Sequence, residues 1–149
     1  MHILGLLYAL FSIGYVSAGL WLGRQATLRR RGWLIYGSTI LAGLMLALFG
    51  LQLPLTVLGL AALINGAALE LGTQSWMHAL QTFIPREQLG RVSSIDALGP
   101  FALLPIGYGL TGWATDRLGA TPVFLIGGGA TALLLVLVLA LQPAVRQLD

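Results

Sequence analysis

Between Arg31 and Arg86 the chain carries a single formally charged side chain, Glu70, in the middle of a long apolar stretch. An acidic group there costs about 2.5–3.5 kcal/mol on insertion scales if the stretch crosses a bilayer. Such groups face a bundle interior or a water-filled cavity, where polar partners offset the cost. Gln74, His78 and Gln81 follow at helical spacing. On one helix, Glu70, Gln74 and Gln81 fall on a common stripe with His78 at its edge, and Asn65 falls on roughly the opposite face. The stripe is expected to line a cavity that binds a polar or cationic small molecule, with Glu70 exchanging protons. The competing expectation is a hydrogen-bond network that locks this helix to its neighbours. Trp76 is close enough in sequence to be a substrate contact.

Other chemistries lack their parts. His78 has no second histidine near it, since the other is His2 at the terminus, and the chain has no cysteine, so neither a metal site nor thiol chemistry is expected. No serine sits in a G-x-S-x-G elbow, and Glu70 has no nucleophile beside it. Gly107-x-Gly109-x-x-Gly112 matches a dinucleotide fingerprint only on paper. That motif needs a strand before it and an amphipathic helix after it, and here it lies inside an apolar run. The chain is not expected to be an enzyme or to hold a cofactor.

The elements that must position the stripe follow from composition. Of 149 residues, 57% are hydrophobic and 9% charged, whereas a soluble domain needs about 25% charged residues. A hydrocarbon core about 30 Å thick needs roughly 20 apolar residues as helix. The chain supplies five such pieces, at about 3–23, 32–52, 55–84, 97–115 and 120–141. These predict an all-α, polytopic membrane bundle in a single membrane domain spanning 1–149. The uncharged run from Gly32 to Leu69 is too long for one crossing and is expected to fold back at Leu53–Pro54. Val16–Ser17–Ala18 resembles a signal-peptide cleavage site, but no Lys or Arg precedes it, so the segment is expected to be retained as the first span.

Seven of the eight arginines fall on alternate breaks: Arg24, Arg29, Arg30 and Arg31 in the first, Arg86 and Arg91 in the third, Arg146 in the tail. This is the positive-inside pattern. It predicts an N-terminus outside, a C-terminus in the cytoplasm and a multi-pass protein of the cell's inner membrane. The arginines lie at membrane edges without interleaved aromatics, so lipid headgroups rather than nucleic acid are the expected contacts. Close helix packing is expected at Gly19/Gly23, Ala62/Gly66 and Ala68/Gly72, whose small-xxx-small spacing lets backbones approach. Gly127–Gly129 is expected to bend its helix, and Pro100 and Pro105 to kink theirs. Trp21, Trp33 and Trp113 fit an interfacial belt.

The third break is more specific. Pro85–Arg86–Glu87–Gln88–Leu89–Gly90–Arg91–Val92 resembles the loop between the tenth and eleventh helices of major facilitator superfamily transporters. The likeness is to the exporter branch that includes the enterobactin exporter and macrolide efflux proteins. Gln81 before the loop and Leu104–Pro105–Ile106–Gly107 after it fit the same pattern. Gly19 to Arg24 with Arg29–Arg31 is similar to the loop between helices eight and nine. Gly112-x-x-x-Asp116–Arg117-x-Gly119 is similar to the superfamily signature, although charge counting places it outside, where it is expected to form a helix-end turn with an Asp–Arg pair.

The resemblance implies helices eight to twelve of a partial major facilitator fold, from a secondary-active exporter of the drug or siderophore efflux type. Its small-molecule substrate would pass between two halves, with Glu70, Gln74 and Gln81 lining one of them and Arg86, Gly90 and Arg91 gating the cytoplasmic side. The first half and the seventh helix would be missing, the chain being either a truncated or split gene product or half of an assembly completed by another chain, and the chain alone would not transport. The alternative expectation is a small non-transporting membrane protein, either an assembly partner or an inert remnant.

Overall fold

A computed structural model of the chain describes residues 2–25 and 31–142, with Arg31 described in its backbone only. Five helices occupy almost all of it: α1 (His2–Gly23), α2 (Arg31–Leu48), α3 (Leu55–Phe83), α4 (Arg86–Leu118) and α5 (Ala120–Leu141). The all-α bundle expected from composition is the fold observed, with no strand among the described residues. Helices α1, α3 and α5 are long and apolar enough to cross a membrane.

The other two helices correct the expected spans. Helix α2 ends at Leu48 rather than at residue 52. The N–H groups of Phe49, Gly50 and Leu51 bond three residues back at 3.0–3.1 Å, tightening the chain out of the α-helix. Pro54 then opens α3 and disfavours helical backbone at Leu53. Its apolar stretch, Gly32–Leu48, is therefore shorter than those of the three crossing helices. Helix α4 begins at Arg86 rather than at residue 97, because nothing after Pro85 stops it. Gln88 and Leu89 donate to the Pro85 carbonyl at 2.9 and 3.0 Å, and Glu87 in the first turn complements the helix dipole. At 33 residues α4 is about 50 Å long, well over the thickness of a hydrocarbon core. Only Ile84 and Pro85 separate it from α3, so most of the expected arginine loop is helix.

Helix α4 remains helical through Pro100 and Pro105, and α5 through Gly127–Gly129, so neither helix is broken at these points. Gly119 alone joins them, at φ 85°, a backbone region that suits glycine, with its N–H on the Thr115 carbonyl at 2.9 Å. Arg117 does not turn to Asp116 as expected. It lies over the Trp113 ring, 5.4 Å from the centroid.

Helix α3 is the centre of the assembly. Helices α1 and α2 both pack against it without packing on each other, and α5 packs on α2. Small residues set these approaches. A Cβ at Gly66 would collide with the Phe11 backbone, and one at Gly14 with the Leu63 backbone. Gly43 and Gly128 meet in the same way between α2 and α5, while Gly127 and Gly129 face open space. Ser38 and Thr39 of α2 stand against Gly72. The expected Gly19/Gly23 seam is only half present, since Gly23 faces open space and the buried line of α1 is Gly14, Ala18 and Leu22. No residue of α4 is buried.

Candidate functional site

Glu70 is the first residue of the polar stripe and is only 4% exposed. Its carboxyl turns toward α1 at Gly19, where a Cβ would stand 2.9 Å from Oε1. The glycine therefore makes the space the carboxyl fills. Gln74, one turn on, donates from Nε2 to Glu70 Oε1 at 2.9 Å. The Tyr15 phenol of α1 faces the same carboxyl. Oε2 is buried without a hydrogen bond among the described residues. A buried oxygen in that state is the kind of group that calls for a ligand or a water.

Above this point α1 and α3 part into a groove of about 310 Å³, lined by Gly19, Leu22, Gly23 and Gln25 on one side and Gln74, His78 and Gln81 on the other. The groove lies at the end of the helix pair that leads into the first and third breaks. The sequence stripe and this wall coincide at Gln74, His78 and Gln81, while Glu70 lies beneath Gln74 rather than in the opening. His78 Nδ1 is buried and has no hydrogen-bond partner among the described residues. Glu70 thus faces a helix of its own chain, and Gln74 faces an opening.

Trp76 leaves this site. Its Nε1 donates to both carboxylate oxygens of Asp96 on α4, at 3.2 Å each. Two residues beyond Gln74, it lies about 200° round the helix from the groove wall, so it pins α4 instead of meeting a molecule held there. Asn65 faces α2, as its angular position requires, and donates from Nδ2 to the Ala42 carbonyl at 2.8 Å. Arg24, Arg86, Gly90 and Arg91 are exposed near the same end of the bundle. Arg29, Arg30 and Arg146 lie outside the described residues, as does the side chain of Arg31. Pro100 and Pro105 are exposed on α4 and do not line the groove.

Sequence reasoning missed four participants. Asp96 was expected in a loop, and only the length of α4 puts it beside Trp76. Tyr15 and Gly19 face Glu70 from α1, a pairing that the period of α3 cannot encode. Ser75, fully buried with an Oγ that has no hydrogen-bond partner among the described residues, was also missed.

The groove offers three amides, an imidazole and a neighbouring carboxyl, and no Arg or Lys among the described residues lines it. It can hold a molecule by hydrogen bonds and would favour positive over negative charge near Glu70. No group of three or more His, Cys, Asp or Glu able to hold a metal occurs among the described residues. No protein-family model matches the chain, and neither does any curated protein or any solved structure.

Proposed function

We propose that the chain is a membrane-embedded module of a secondary-active small-molecule exporter of the major facilitator type, and that the α1–α3 groove is its part of the substrate path. The observation that carries this reading is the groove itself. Gln74, His78 and Gln81 of α3 line it together with Gln25, beside the buried acid Glu70. Polar groups at such depth are costly and are kept where they serve a ligand or an ion. The module works with further helices, because α4 has no buried residue of its own. It sits in the cell's inner membrane with the arginine-rich breaks on the cytoplasmic side. The substrate is of the drug or siderophore class, and the arginines meet lipid headgroups.

The second reading, a non-transporting membrane protein, draws on the Glu70–Gln74 bond beneath Gly19. There the polar stripe only fastens α3 to α1.

Binding separates the two. The purified chain in lipid nanodiscs is titrated with rhodamine 6G, a lipophilic cationic dye, and fluorescence polarisation is followed. Saturable binding that weakens about tenfold in Gln74→Ala/Gln81→Ala supports the groove, a loss on the scale of two hydrogen bonds. Equal binding by both proteins favours the non-transporting reading. A reporter fused after Asp149 should read cytoplasmic, and a periplasmic signal would reverse the topology.

A further inference from the structure

A second groove lies at the other end of the bundle, independent of the transport reading. It exists because α1 and α2 share α3 as a support but do not touch each other. Toward the start of α1 they leave a cleft of about 270 Å³. Its floor is Ala62 and Asn65 of α3, and its walls include Tyr8 and Phe11 of α1, Phe49 just past α2, and Phe124 of α5. The rings are held in place: Phe49 and Phe124 have centroids 6.1 Å apart, and Phe11 is 6.1 Å from Tyr15. Such spacings are typical of tilted aromatic pairs.

The floor carries the distinguishing feature. Asn65 is 9% exposed and spends one N–H on the Ala42 carbonyl. No hydrogen bond to its side-chain carbonyl occurs among the described residues, and Asn65 lines the cleft. A lipid tail that entered would leave this acceptor unpaired, since it has no donor to offer. An aromatic molecule bearing one O–H or N–H would fill the ring-lined space and satisfy Oδ1 at once. The volume exceeds the roughly 150 Å³ of an apolar cavity that holds benzene, and so suits two fused rings.

We propose that this cleft binds small aromatic molecules of one or two rings that carry a single hydrogen-bond donor, the donor resting on Asn65 Oδ1. Pockets of this make-up, apolar walls with one placed polar group, take their orientation and selectivity from that group.

The test uses the full chain in nanodiscs, titrated with 2-naphthol and with 2-methylnaphthalene, which has the same rings without the donor. Binding is the saturable signal above protein-free nanodiscs. The proposal expects 2-naphthol to saturate and 2-methylnaphthalene to bind about tenfold more weakly, the scale of one hydrogen bond. Asn65→Leu should erase that preference. Because Asn65→Leu also removes the α2 contact, Leu46→Trp on the cleft wall serves as a second variant that leaves α3 untouched. It should abolish binding of both probes by filling the space. Non-saturable partitioning, equal affinity for the two probes, or unchanged binding in Leu46→Trp would each overturn the proposal. Equal affinity would identify the cleft as a place for lipid tails.

Discussion

Helices α3 and α4 are the two longest in the molecule, at 29 and 33 residues, and both are rich in small residues. Their surroundings differ completely. Eleven residues of α3 are buried, including Gly66, Ala68 and Gly72, and none of α4 is. Gly66 stands against the backbone of α1 and Gly72 against side chains of α2, while Gly99, Gly107, Gly109 and Gly112 of α4 meet nothing. Small residues permit close approach in a membrane but do not supply the partner. In α3 the partner is within the chain. In α4 no such partner occurs among the described residues, and that helix is held by a hydrogen bond at Asp96 and a one-residue turn at Gly119.

The sharpest way to break the comparison is to enlarge equivalent residues on the two helices. Gly66→Leu should drive α1 off α3 and destabilise the purified protein by about 3 kcal/mol or more, as overpacking does. Gly107→Leu should stay within about 0.5 kcal/mol of wild type, as exposed substitutions do. Denaturation in mixed micelles measures both, and equal losses would mean that α4 is packed.

Asn65→Ala should cost about 1 kcal/mol in the same assay, the scale of an interhelical hydrogen bond within a membrane. Glu70→Gln keeps an acceptor for Gln74 and removes the ionisable group. It should therefore change stability by less than about 1 kcal/mol, the scale of a single hydrogen bond. A large loss would mean that the carboxylate itself fastens α3 to α1. A local effect is expected from Trp76→Phe. It removes the N–H that reaches Asp96, so spin labels on α3 and α4 should show a broader distance distribution while global stability moves by less than about 1 kcal/mol.

Much of this arrangement was legible before any coordinates. Hydropathy placed α1, α3 and α5 within a residue or so of their observed ends, because an apolar run bounded by Gly, Pro or Arg has clear edges. It failed at α4, where Arg86, Glu87, Arg91 and Asp96 read as a loop although their helical propensity is good. Membrane scales measure burial in lipid, and these turns need none to be helical. The groove wall of Gln74, His78 and Gln81 was legible because one helix encodes its own faces. What lies opposite was not. The register that sets Gly19 and Tyr15 against Glu70 belongs to a pair of helices, and no single period contains it. Trp76 shows the same limit, since its partner depended on where α4 starts.

The central claim is that the chain holds a binding groove but only part of a transport path. Proteoliposomes containing this chain alone, loaded with rhodamine 6G and given an inward proton gradient, test it most directly. The account predicts dye binding without efflux above protein-free vesicles. Efflux that follows the gradient and disappears in Glu70→Gln would contradict it, because the five helices would then form a complete pathway.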